Sequence, residues 1–192
     1  MEKIILASSS PRRRDILTAA GIPFEIVTSD ADETCPPGLR PDEYTVTLAL
    51  RKLNAVYEAT KSERLILAAD TVVAIDGLIL GKPENEEDAF EMLSRLSGRV
   101  HHVYTGIAMK KKDLLVTDCG VTAVKMRELT EDEIRAYIAT GEPFGKAGSY
   151  AVQERGGALV ESVTGNYQNV VGLPIDLVLT HLKNDFGIGI FS

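Results

Sequence analysis

The chain has 192 residues, 44% of them apolar and 26% charged, and its 28 acidic against 21 basic side chains give a net charge of −7. That length suits a single domain over residues 1–192 with a real core. The acidic balance argues against a general nucleic-acid binder, which would carry the opposite sign, and leaves room for a local cationic pocket for a small phosphorylated molecule. No apolar run approaches the ~20 residues that span a bilayer. One early lysine before a short apolar run is no secretory signal. Cys35 and Cys119 are too few and too far apart for a disulfide framework or a CxxC site. A cytoplasmic enzyme is the expectation.

Short apolar runs alternate with amphipathic segments, the pattern of a mixed α/β protein. Ile4–Ala7 reads as a strand, Pro11–Ala20 as a helix ended by Gly21, and Phe24–Ser29 as a second strand. Pro41–Thr60 carries Val46, Ala49, Leu50, Leu53 and Tyr57 at helical spacing and is predicted to be a long amphipathic helix. Leu65–Ala69 is a buried strand by its unbroken apolar run. Val72–Ile75 and Leu78–Leu80 flank Asp76-Gly77, a strong hairpin signal. Asn85 with Asp88 predicts the cap of a helix over Glu86–Leu96. Two long β segments follow, about His101–Lys110 and Leu114–Met126, and Thr130 with Glu133 predicts the cap of a helix running to Thr140. Strands near Ser149–Gln153 and Ala158–Ser162 and a final helix over Pro174–Asn184 complete the prediction. Adjacent β segments and an early hairpin imply a mixed sheet.

The segment Ala7-Ser8-Ser9-Ser10-Pro11-Arg12-Arg13-Arg14 is the most informative in the chain. Serines offer N-cap oxygens and proline suits the first helical position. Three arginines in a first turn oppose the helix dipole, by ~0.3–1 kcal/mol each. Free backbone N–H groups with arginines beside them suit a phosphate; a solvated basic turn is the plain alternative. Asp70 interrupts an apolar run at a place where α/β sheets bind ligands, although a capping aspartate has the same local look. Read alone, Lys82 is a loop lysine and Lys52 a lysine at the polar edge of its helix. Asp30, Asp32 and Glu33 cluster after the second strand, where carboxylates near a polyanion suggest a divalent cation, or merely a solvated loop. His101 and His102 are adjacent and His181 remote, so no zinc constellation is visible. Gly141 to Lys146 is one residue short of a Walker loop, and Ala147 replaces its Ser/Thr.

Together these segments resemble the Maf family of nucleoside triphosphate pyrophosphatases over essentially the whole chain. The resemblance rests on Ala7 to Arg13, Glu33, Lys52, Ala69-Asp70-Thr71, Gly81-Lys82-Pro83, Leu93 to Gly98, Lys146 to Tyr150 with Gln153, and Asn169 to Pro174. It implies an α/β fold of the inosine-triphosphatase type, with a mixed twisted sheet and a cleft between two lobes. It implies hydrolysis of the α–β anhydride of a nucleoside triphosphate. By position, Asp70 would be the general base, with Glu33 beside it at a divalent metal, Mg²⁺ or Mn²⁺. Ser8, Arg13, Lys52 and Lys82 would bind phosphates, and Arg12, Thr71 and Gln153 would select the base. The Gln153 segment and Gly165-Asn166-Tyr167 look closer to the branch acting on dTTP and UTP than to the 7-methyl-GTP branch. Gly145 stands where many relatives have aspartate, and Asn166-Tyr167-Gln168 varies a familiar segment; neither removes a proposed catalytic group. The expected partner is a nucleotide, with no nucleic acid or membrane, and a homodimer is compatible. A nucleotide-binding regulator of septum formation with little catalysis is the competing expectation. An inosine-triphosphatase-type purine editor is a third, and its motifs differ.

Overall fold

Ile4–Leu6 (β1) is apolar at every position and fully buried, as a strand between two parallel neighbours must be. It pairs in parallel with Phe24–Ile26 (β2) and with Ile66–Ile75 (β3). The computed structural model describes residues 2–28, 30–32 and 34–189. Its further elements are α1 (Pro11–Ala19), α2 (Pro41–Thr60), β4 (Leu78–Leu80), α3 (Glu86–Leu96), β5 (Val100–Lys111), β6 (Leu114–Met126), α4 (Glu131–Ile138), β7 (Val160–Thr164), α5 (Tyr167–Val171) and α6 (Ile175–Asn184). The strands form one seven-stranded sheet in the order β2-β1-β3-β5-β6-β7, with β4 paired to β3. The β3–β4 and β6–β7 pairs are antiparallel, so the sheet is mixed as expected.

Local chemistry explains most element ends. Asp76 and Gly77 both have positive φ, 53° and 75°, the twist that a two-residue hairpin requires. Asn85 Oδ1 accepts from Asp88 N at 2.9 Å, and Thr130 and Glu133 form the predicted reciprocal cap. In α2 the buried stripe is Thr45, Leu48, Ala49, Leu53 and Val56. It is rotated from the predicted one, leaving Val46, Leu50 and Tyr57 half-buried. The cause is Gly106 of β5. A Cβ there would come within 2.4 Å of the Thr45–Val46 backbone, so only glycine lets the helix lie this close. Thr45 then satisfies its buried hydroxyl on its own helix, at Pro41 O and Asp42 O.

Three expectations change. The segment from Ser149 to Gln153 is not a strand: 3₁₀ turns occupy Ala147–Ser149 and Arg155–Leu159, with Gly148 and Ser149 at left-handed φ. The run Tyr150-Ala151-Val152 has the apolar look of a strand because all three are buried, but they lie in the irregular connection between the two 3₁₀ turns. The following strand begins at Val160 rather than Ala158, and a short helix over Tyr167–Val171 was not anticipated.

Contacts group the chain into two units: Met1–Asp70 with Thr105–Gly120 and Gly172–Ser192, and Thr71–Tyr104 with Val121–Val171. The first packs Ile5, Ala49, Leu53, Val56, Ile66 and Ala108 around β1 and α2. The second packs Val73, Leu93, Leu96, Val124, Ile134 and Tyr150 among α3, α4 and its strands.

Candidate active site

β3 runs unbroken through the Asp70-Thr71 pair, and these two are its only positions that are not buried. A carboxylate here stands in the middle of a sheet strand and needs a partner, because an isolated charge is costly away from water. Lys52 supplies it: Nζ donates to Asp70 Oδ1 at 2.5 Å, with the side chains 20% and 14% exposed. Lys52 follows Leu48 by four residues and precedes Val56 by four, so it belongs to the buried stripe of α2 and not to its polar edge. That spacing, counted from the correct stripe, is the signal that marks it.

The basic segment is built differently from the expectation. Ser10 is the N-cap of α1, but its side chain makes no capping bond. The buried hydroxyl of Ser8 instead accepts from Ser10 N at 3.3 Å and from Arg13 Nη1 at 3.0 Å. Arg13 Nε donates to Gly172 O at 2.7 Å, which ties α1 to the residue following α5. Ser8 and Arg13 are thus one assembly. Arg12 is half-buried one position earlier and takes part in no ion pair among the described residues.

Glu33 lies outside the described residues. On either side of it in sequence, Asp32 Oδ1 accepts from the Thr34 hydroxyl at 2.7 Å and the Thr34 amide at 2.9 Å, and these bonds hold its carboxyl below the usual range. Arg51, beside Lys52 on α2, donates to Asp32 O at 3.2 Å and also to Thr34 O. Burial pushes the Cys35 thiol up, and the Asp70 and Asp32 carboxylates add to that against the opposing charge of Arg51.

The other predicted residues belong to the second unit. Thr71 is the chain neighbour of Asp70. Lys82 is exposed two residues beyond β4 and has no acidic partner among the described residues. Gln153 is exposed, and its Nε2 donates to Glu154 Oε1 at 3.4 Å. The residues of this unit that sequence reasoning passed over form a network around Glu142. Its carboxylate accepts from Tyr137 Oη and from the amides of Gly156 and Arg155, while its carbonyl accepts from Lys146 Nζ at 2.7 Å. A glutamate four residues before a lysine carries no such message in sequence.

No three His, Cys, Asp or Glu side chains gather into a metal cage among the described residues. The carboxylate of Asp70 is a hard oxygen donor of the kind magnesium takes, and magnesium commonly uses one or two carboxylates plus phosphate oxygens and water. The donor set therefore fits a cation arriving with a polyphosphate. No helix is long and apolar enough to cross a membrane among the described residues.

A family model described as Maf-like protein matches residues 3–185. A dTTP/UTP pyrophosphatase of Bacillus cereus (strain ATCC 10987 / NRS 248) is 50% identical over 183 residues, covering 95% of this chain and 90% of the relative. A dTTP/UTP pyrophosphatase of Bacillus anthracis is 49% identical over 183 residues, 95% of both chains. Among solved structures, the Staphylococcus aureus Ham1 protein is similar with a TM-score of 0.57 at 16% identity, over 96% of this chain and 100% of that one. That likeness is one of fold.

Proposed function

This chain belongs to the Maf-like protein family, and we propose that it is a nucleoside triphosphate pyrophosphatase that acts on dTTP and UTP. The observation that carries the reading is the Lys52–Asp70 ion pair at the one half-exposed point of an otherwise buried strand. A carboxylate held by a lysine on two regular elements is a fixed proton acceptor beside a fixed cation.

In the proposed reaction a water oxygen bonds to the α-phosphorus and gives its proton to the Asp70 carboxylate. The bond from that phosphorus to the bridging α–β oxygen breaks, releasing nucleoside monophosphate and pyrophosphate. Phosphoryl transfer is largely positioning and charge stabilisation. Ser8, Arg13, Lys52 and Lys82 are proposed to contact phosphates. The Arg13–Ser8–Gly172 assembly supports that role for the first two by fixing their geometry before substrate arrives. Arg12, Thr71 and Gln153 are proposed for base selection on the family resemblance. A divalent cation, Mg²⁺ or Mn²⁺, would be held by Asp70 and Glu33 and would offset phosphate charge and acidify water.

The test is pyrophosphate release from a panel of nucleoside triphosphates with either cation, run beside Asp70→Asn. Release from dTTP and UTP, lost in the variant, is the expected result. Nucleotide binding without release from any of them would move the protein to the class of binding regulators.

A further inference from the structure

The turn Lys146–Tyr150 in the second unit is held more tightly than a connecting loop requires. Gly148 and Ser149 are both left-handed, with φ of 67° and 64°, and for Ser149 that conformation costs ~1–2 kcal/mol. Such strain persists only where the surroundings over-determine it, and it gathers at functional sites. Here Gly148 N donates to Gly81 O at 2.9 Å, Ser149 N to Lys146 O at 3.1 Å, and Ser149 Oγ to Met92 Sδ at 3.1 Å.

The next residue is tied by a buried polar pair. Tyr150 Oη lies 2.7 Å from Nε2 of His101 on β5, and the rings meet edge-on with centroids 5.5 Å apart. His101 is 0% exposed and Tyr150 5%, and His101 Nδ1 has no partner among the described residues. An apolar pair of similar volume would avoid desolvating two polar groups. Burial alone does not account for the choice. What the pair adds is direction: it fixes where the chain goes after Ser149, towards Gln153 three residues on, while the Gly148 bond grips the residue before Lys82.

We propose that His101 is a positioning residue for nucleotide recognition, setting Gln153 through Tyr150 and Lys82 through the turn that Tyr150 anchors. The inference rests on the reading above, in which Lys82 and Gln153 contact the nucleotide. It assigns His101 to binding and selection, not to the chemical step, because Asp70 and its Lys52 partner stand on β3 and α2 and are not part of this turn.

The experiment compares the parent protein with Tyr150→Phe and with the double variant His101→Phe/Tyr150→Phe, in melting temperature and in kcat and KM for dTTP and dGTP. Removing both polar partners leaves no buried group unpaired, so the double variant should melt close to the parent. Its kcat for dTTP should stay within about threefold while KM rises about tenfold and the preference for dTTP over dGTP narrows. A folded double variant with parental KM and parental preference would overturn the proposal. If the double variant fails to fold, Tyr150→Phe alone decides: it loses one oxygen, and KM should rise while kcat holds. A parent that releases no pyrophosphate from any nucleotide sinks the underlying reading and the proposal with it. A parent that turns over beside an unchanged variant sinks the proposal alone.

Discussion

Asp70 and Lys52, in the first unit, stand on a ten-residue strand and a twenty-residue helix, whereas Lys82 and Gln153, in the second, stand beyond a three-residue strand and among 3₁₀ turns. Groups on regular elements are placed by ladder and helix bonds that every residue type can make. Groups on turns depend on particular residues, here Gly148, Ser149, Tyr150 and Glu142, whose bonds replace the missing ladder. The proposed chemistry follows part of this division, with the proton acceptor on the regular backbone and the proposed contacts of Lys82 and Gln153 on the turns. Reacting groups tolerate the least displacement, since a misplacement of about 1 Å can cost ~10²-fold in rate.

The units also differ in how they hold histidine. His101 is buried neutral: desolvation, aided by the neighbouring His102, pulls it down to about 4. His181, on α6 in the first unit, is half-buried between two carboxylates, with Nδ1 2.7 Å from Asp185 and Nε2 2.9 Å from Asp118. Desolvation works against its charge, but the bonds to Asp185 and Asp118 outweigh it and raise its pKa.

The sharpest break between the units comes from Asp70→Asn. Turnover of dTTP should fall at least ~10²-fold, the usual reach of a general base, with the melting temperature little changed. Near-parental turnover would remove the base from the first unit.

Acid tests the second unit. Above pH 6.5 neither folded nor unfolded His101 binds a proton. Between 6.5 and about 4 only the unfolded chain does, so stability is lost as pH falls through that window, by about 3 kcal/mol in all. Denaturant midpoints for the parent and for His101→Phe/Tyr150→Phe should separate the effect, because the double variant lacks this acid-linked loss. An identical pH slope in both would place the titration elsewhere.

Gly148→Ala attacks the same turn sterically. The added Cβ would come within 2.7 Å of Val73 Cγ2 at a left-handed φ, and we expect a loss of about 2 kcal/mol in equilibrium unfolding. Full stability in that variant would show that the turn yields freely.

The smallest effect has the opposite sign in pH and belongs to the first unit. His181 contributes fully below pH 6.5 and loses that contribution as pH rises through its raised folded value. Both partner carboxylates are 40% exposed, so screening keeps the effect small. His181→Gln should flatten the loss of stability as pH rises above 6.5; a slope matching the parent's would leave the clamp without energetic weight.

Much of both units was legible in one dimension. The apolar run around Asp70, the proline and arginines of α1 and the caps at Asn85 and Thr130 act through neighbours within four residues. Lys52 was legible in type but misjudged in place. The apolar pattern of α2 admits two overlapping stripes, and the choice between them was made by Gly106, far along the chain, where the absence of a side chain admits Thr45. The turn from Lys146 to Gln153 was misread as a strand because burial of Tyr150, Ala151 and Val152 gives the same apolar run in either geometry.

From sequence alone came the α/β class, the elements from β1 to α4 in their order, the caps at Asn85 and Thr130 and the residue types at the candidate site, all consequences of interactions between near neighbours along the chain. Only the tertiary structure decided which helix face is buried, that Lys52 meets Asp70, that Ser8 serves Arg13 and not a helix cap, and that a buried histidine holds the Tyr150 turn. Each of these depends on groups distant in sequence meeting at a few ångströms, where the cost of an unpaired buried charge or donor selects one partner.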